Sequence, residues 1–144
     1  MIISKLKKED YQGKKFIARY MTKGYYDIQS VSTGFVFKYI NFDEEKAVSF
    51  EDLFFNEWLE SPVAYGAFED GELVGFVEGS IEEWNNRYRI SNICIFDSKK
   101  RHSGIGAKLM DVILSEAKES GARMVVLETQ TCNKMRTALQ IYQR

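Results

Sequence analysis

The strongest hydrophobic pattern in the chain runs from Ile90 to Ala117. Ile90-Ser91-Asn92-Ile93-Cys94-Ile95-Phe96 is β-branched and apolar, which predicts a strand. Leu109, Val112, Ile113 and Ala117 then recur at helical spacing, with Ile105 one turn earlier, predicting a helix over Gly104 to Ser120. Gly121 stands where such a helix stops. Met124-Val125-Val126-Leu127-Glu128 predicts another strand, and a helical crossover makes it parallel to the Ile90 strand. Met135, Ala138, Leu139 and Tyr142 share one side of a last helix over Asn133 to Arg144.

Upstream the pattern is more mixed. Met1 to Leu6 reads as a short strand. Lys8 to Ile28 has helical spacing at Phe16, Ile17, Tyr20 and Met21, interrupted by Gly13 and Gly24. Phe35-Val36-Phe37-Lys38-Tyr39-Ile40 predicts a strand, and Asn41 to Val48 a polar, acidic connection. Ser49 and Asp52 form a loose capping-box pattern for a helix carrying Leu53, Phe54, Trp58 and Leu59, stopped at Pro62. Val63 to Phe68 and Leu73 to Val77 are strands around an Asp70-Gly71 hairpin turn, and Asn85-Asn86 marks a second turn. Three consecutive antiparallel strands result, so the expected class is α/β with a mixed sheet in a single domain over residues 1–144.

Composition narrows the function. The chain has 144 residues, 44% of them hydrophobic, enough for one domain with a real core. No run of eighteen apolar residues predicts a spanning helix, and Met1-Ile2-Ile3-Ser4-Lys5 lacks the order of a secretory leader, so a cytoplasmic location is expected. Cys94 and Cys132 fit neither a disulfide scaffold nor a zinc site, and no metal is expected. The net charge of −1 is unevenly spread: residues 1–83 carry 9 Lys+Arg against 16 Asp+Glu, and residues 84–144 carry 11 against 5. A basic half suits a phosphate-bearing ligand, and an acidic half suits a cationic one. Near-neutral overall charge argues against a nucleic-acid partner.

The candidate chemistry lies between the Ile90 strand and the following helix. Arg101-His102-Ser103-Gly104-Ile105-Gly106 is a basic loop with two glycines, preceded by Lys99 and Lys100. The opening amides of a helix lack internal partners and carry partial positive charge. Glycine lets a ligand approach the backbone closely. Together these features suit a phosphate or pyrophosphate group. No complete Gly-x-x-x-x-Gly-Lys-Ser/Thr or Gly-x-Gly-x-x-Gly motif is present, so a nucleotide-binding domain is a weak rival.

The Arg-x-x-Gly-x-Gly run after an apolar strand resembles the acetyl-CoA loop of the GNAT acyltransferase superfamily. Trp84-Asn85-Asn86-Arg87-Tyr88-Arg89 before the strand and Leu127-Glu128-Thr129-Gln130-Thr131-Cys132-Asn133 after the helix are similar to the streptothricin acetyltransferase-like branch. The resemblance implies the GNAT fold. It also implies an N-acetyltransferase that moves an acetyl group directly from acetyl-CoA to a primary amine of a small cationic acceptor, of a streptothricin-like or polyamine kind. It implies that the fourth and fifth strands of the family's sheet splay apart and hold the cofactor's pantetheine arm between them.

Site residues follow from the same resemblance. Arg101, His102, Ser103, Gly104, Ile105 and Gly106 hold the pyrophosphate, Ile93, Ile95 and Phe96 line the arm, and Asn133 contacts the cofactor or caps the last helix. His102 stands where relatives often carry glycine and faces phosphate rather than the acyl carbon. Tyr142 matches the tyrosine that protonates the departing thiolate. The base is less defined. The fourth-strand region offers Ser91 and Asn92 but no carboxylate, leaving Glu128, Glu78 and Glu82, any of which could instead be a surface or structural acid or hold a cation. Cys94 and Cys132 have no histidine to activate them as nucleophiles. Tyr25 and Tyr26 lie in the region that lines the acceptor pocket in the family.

Departures from the family pattern are also present. The loop between Ile95 and Arg101 and the Asn133-to-Tyr142 spacing are both longer, and the chain stops at Tyr142-Gln143-Arg144, where the family continues with a Gly-Phe turn and two more strands. A truncated form, or strands supplied by another chain, is the expectation. An exposed fifth-strand edge favours association, so a homodimer is one expected partner. The alternative function is a catalytically inactive CoA-binding or regulatory module of the same fold.

Overall fold

The computed structural model describes residues 1–128. Their elements are β1 (Ile2–Lys5), α1 (Lys8–Tyr11), β2 (Lys15–Val31), β3 (Gly34–Leu53), β4 (Val63–Glu69), β5 (Glu72–Glu82), β6 (Arg87–Ile95), α2 (Ile105–Glu119) and β7 (Met124–Leu127). Single 3-10 turns lie at Glu83–Asn85 and Ser98–Lys100. The main sheet has the order β1-β4-β5-β6-β7, antiparallel except for the parallel β6–β7 pair, and β2 and β3 form a separate two-stranded ribbon. None of the described helices is long and apolar enough to cross a membrane.

Local chemistry explains the main-sheet connections. Asp70 (φ 50°) and Gly71 (φ 82°) both take positive φ, as the tightest β-hairpin turn demands. The 3-10 turn before β6 ends at Asn86 in the left-handed region, φ 50°, which asparagine tolerates better than most residues. The predicted strands over 63–68, 73–77 and 90–96, the helix after Gly104 and the parallel β7 are all present.

The chain forms two compact units among the described residues, Met1–Ala18 with Phe50–Glu128, and Arg19–Ser49. In the first, each face of the sheet has its own core. One is aromatic: Phe16, Phe54 and Phe76 lie mutually 4.5–5.2 Å apart between ring centroids, with Leu6, Phe55, Ala64 and Cys94 around them. On the other face α2 buries Ile105, Leu109, Ile113 and Ala117, an unbroken i, i+4 row, together with Met110. Tyr65 donates its hydroxyl to Glu116 Oε2 at 2.7 Å and ties β4 to this helix.

Three upstream expectations are corrected. The helix expected over Lys8 to Ile28 is one turn followed by β2, in which Phe16, Ala18, Tyr20, Thr22 and Gly24 alternate inward. Spacing at 16, 17, 20 and 21 is helical, but strand pairing overrides it and leaves Ile17 and Met21 exposed on the outer side. Gly24 belongs to that pairing: a Cβ there would lie 2.1 Å from the Ile40 carbonyl oxygen, so no other residue fits this close approach. The acidic connection at Asn41 to Val48 is instead the middle of β3. The helix expected from Ser49 is likewise absent. β3 continues to Leu53, and Asp52 Oδ1 accepts from the Leu53 amide (2.8 Å) and from Asn56 Nδ2 (2.6 Å), shaping a turn rather than capping a helix.

Within the second unit, Tyr25 packs against Phe42 (5.6 Å between centroids), Tyr26 against Tyr39 (5.1 Å), and Lys46 lies over the Phe42 ring at 4.2 Å.

Candidate functional site

β6 changes character at Ile90. Residues Arg87 to Ile90 pair with β5 on one side and with Met124 to Leu127 of β7 on the other. From Ser91 to Ile95 the only strand partner among the described residues is β5. A strand losing a neighbour leaves backbone donors and acceptors open, where an extended amide-bearing ligand can pair as an added strand.

The change coincides with a bulge. Gly79 lies opposite Ile90, but Glu78 lies opposite Asn92, so Ser91 is the extra residue on β6. Glu78 is fully buried on the aromatic face of the sheet. Its Oε2 accepts from the Phe55 amide at 2.8 Å, and its Oε1 faces Ser91 Oγ at 3.3 Å and Asn92 Nδ2 at 3.5 Å. Ser91 Oγ also lies 3.1 Å from the Glu78 carbonyl oxygen. Burial raises the Glu78 carboxyl above its ordinary range, the three hydrogen bonds oppose this, and the charge of Asp52 adds to the rise.

Beyond β6 the chain forms a short basic loop. Asp97 Oδ1 accepts from the Lys99 amide (2.9 Å) and starts the 3-10 turn. That turn absorbs the extra length between Ile95 and Arg101. Lys100 pairs with Glu69, while the Arg101 guanidinium donates from Nε and Nη2 to the Ile95 carbonyl, both at 3.3 Å, holding the loop against the end of β6. Ser103 donates its hydroxyl to the Lys100 carbonyl. His102 (φ 65°) and Gly104 (φ 86°) both take left-handed conformations and turn the chain into α2. At His102 the backbone takes a conformation that glycine adopts without strain.

The first intrahelical bond of α2 runs from the Lys108 amide to the Gly104 carbonyl (3.2 Å), so the amides of Ile105, Gly106 and Ala107 precede the helical ladder. A Cβ on Gly104 or Gly106 would meet nothing within 4 Å. Amides outside the helical ladder, clear space at both glycines and the basic run Lys99-Lys100-Arg101 just before them suit a diphosphate-bearing carrier.

The expected site residues separate into groups. Arg101, His102, Ser103 and Gly104 gather in the loop, and Ile105 and Gly106 open α2. The Ile105 side chain is buried, leaving its amide for a ligand. Ile93 and Ile95 lie on the half of β6 that lacks β7. Phe96 follows them, with its amide bonded to the Val74 carbonyl (3.0 Å) and its ring stacked 5.9 Å from Phe76. Glu128 follows β7, largely exposed and 3.2 Å from Arg89 Nη2. Glu82 is held below its ordinary carboxylate range by hydrogen bonding to Arg87, with Arg89 also close. Asn133, Tyr142 and Cys132 lie outside the described residues. Cys94 is buried, its thiol pushed up to about 11 by that burial, which suits a core residue rather than a nucleophile.

The Ser91–Glu78 contact is what sequence reading missed. The expectation of no carboxylate at the fourth-strand position holds for β6 itself, but the neighbouring strand supplies one. Counting back from the Asn85-Asn86 turn would have placed Glu78 opposite Ser91 in an unbroken register, a signal that was available.

Residues 25–140 match the family model described as the acetyltransferase (GNAT) family. No protein with curated function matches. Among solved structures, a nourseothricin acetyltransferase superposes with a TM-score of 0.73 at 22% identity, covering 99% of this chain and 80% of its own. A protein from Bacillus anthracis str. Ames, described as a streptothricin acetyltransferase and solved with acetyl coenzyme A, has a TM-score of 0.67 at 22% identity over the same shares. An aminoglycoside N-acetyltransferase in complex with CoA gives 0.50 at 18% identity, over 56% of this chain and 65% of its own.

Proposed function

Because the chain belongs to the acetyltransferase (GNAT) family, we propose that it transfers an acetyl group from acetyl-CoA directly to a primary amine of a small cationic acceptor. The observation that carries this reading is the turn from β6 into α2, where the amides of Ile105 to Ala107 precede the helical ladder and the Cβ positions of Gly104 and Gly106 meet no protein atom. Structural neighbours support the substrate classes: one holds acetyl coenzyme A, and others are named for nourseothricin and aminoglycosides.

In this reading Arg101 and the amides from His102 to Gly106 grip the diphosphate. Ile93, Ile95 and Phe96 line the pantetheine arm, one or more of them through backbone groups, and Asn133 adds a polar contact. Acetyl-CoA supplies the activated acyl group. The protein's part is to hold the thioester beside a neutral amine and stabilise the charge that develops. Tyr142 gives a proton to the departing thiolate. Glu128, exposed beside Arg89, suits attraction of a cationic acceptor better than proton abstraction at the reacting nitrogen.

Calorimetry with CoA and acetyl-CoA, followed by thiol release on addition of streptothricin, spermidine or kanamycin, tests the proposal. Binding with release for at least one amine is expected. No heat with either thioester carrier overturns it, and binding without release for any amine favours the inactive CoA-binding module instead.

A further inference from the structure

Glu78 is fully buried, so it cannot itself touch an acceptor amine. Of the three groups that hold its carboxylate, the Phe55 amide only donates and the Asn92 amide does not exchange a proton in a catalytic step. The third is the Ser91 hydroxyl, which can accept one proton while giving up another. Ser91 is half-buried, sits on the bulge of β6, and lies just past the point where β7 stops pairing. It is therefore the group through which the buried carboxylate can reach the open half of β6.

We propose that Ser91 and Glu78 form a proton relay, with Ser91 Oγ taking the proton of the attacking amine while its own proton passes to Glu78. The inference rests on the acetyl-transfer reading and names the proton acceptor of that site. As the amine lone pair forms the C–N bond, the C–S bond breaks and its electron pair leaves on sulfur. The N–H proton moves to Ser91 Oγ, and the Ser91 hydroxyl proton moves to Glu78 Oε1, 3.3 Å away. The sulfur takes its proton from Tyr142 under the preceding proposal. After product leaves, Glu78 returns its proton through Ser91 to solvent and Tyr142 regains one from solvent, so the cycle closes with no net proton change. Ser91 is the catalytic residue of the pair and Glu78 acts through it.

The relay needs Glu78 ionised before the amine attacks. Its carboxyl is raised by burial, with Asp52 of β3 the charged neighbour and Tyr88 of β6 the other titratable one. Activity therefore falls as pH drops through that raised value and is regained above it.

The test is kcat and KM against pH for wild type, Ser91→Ala, Ser91→Thr and Glu78→Gln, with acetyl-CoA and the amine panel above, alongside CoA affinity by calorimetry. Ser91→Ala and Glu78→Gln are expected to lower kcat by about 100-fold, the scale of general-base catalysis, with CoA affinity unchanged. Ser91→Thr, which keeps the hydroxyl, should recover most of the rate. Glu78→Gln should lose the carboxylate limb of the pH profile and keep the limb set by the acceptor's own ammonium. A wild-type rate in Ser91→Ala, or an unchanged acidic limb in Glu78→Gln, overturns the relay and leaves acetyl transfer standing. Failure of the wild type with every amine overturns acetyl transfer and the relay with it. Should Glu78→Gln lose CoA binding through misfolding, the Ser91→Ala and Ser91→Thr pair decides.

Discussion

The two halves of β6 share a backbone direction and a neighbour in β5, yet they do different work. Arg87 to Ile90 lies between two strands, with Tyr88 and Ile90 almost fully buried. Ser91 to Ile95 has a strand on one side among the described residues, begins with a bulge and leads into the basic loop. The first half is held by two strand partners, by packing and by the Arg87 and Arg89 ion pairs to Glu82 and Glu128. The second has one strand partner and leans on Glu78 at the bulge and Arg101 on the Ile95 carbonyl. A sheet interior with every backbone group paired offers a ligand nothing, so chemistry belongs where pairing stops and the remaining support is rigid.

Substitutions can separate the halves. The largest stability effect is expected at Ile90, 2% exposed: Ile90→Ala should cost about 3 kcal/mol in urea unfolding, through lost burial and a cavity. The same change at half-buried Ile93 should cost clearly less and weaken CoA binding, and equal losses at both positions would break the contrast. Next is Gly106→Ala. Its methyl would meet no protein atom, so the melting temperature should hold or rise, while calorimetry should show CoA binding weakened about tenfold, or ~1.4 kcal/mol. Unchanged affinity would mean that the ligand does not approach this amide. The smallest effect is expected for His102→Gly. Relief of the left-handed backbone, offset by the freedom glycine adds to the unfolded chain, should stabilise by about 0.5 kcal/mol in the same urea measurement.

Legibility followed the same divide between local and remote causes. The turns at Asp70-Gly71 and Asn86, the i, i+4 row of α2 and the glycine loop depend on residues within a few positions of one another, and each was readable. The ribbon β2–β3 was not. Phe16, Ile17, Tyr20 and Met21 keep a helical period although in the strand Ile17 and Met21 face out, and Asp52 caps either a helix or a turn. Only the pairing of two strands of 17 and 20 residues favours the extended form.

By itself, then, the sequence determined the sheet's antiparallel centre, the parallel crossover and the glycine-bearing turn into α2, because hydrophobic period and glycine placement are short-range properties. Tertiary structure decided the ribbon, the bulge at Ser91 and the burial of Glu78. A one-residue bulge changes which side chains share a face, and burial changes what a carboxylate can do; neither is a property of the residues taken alone.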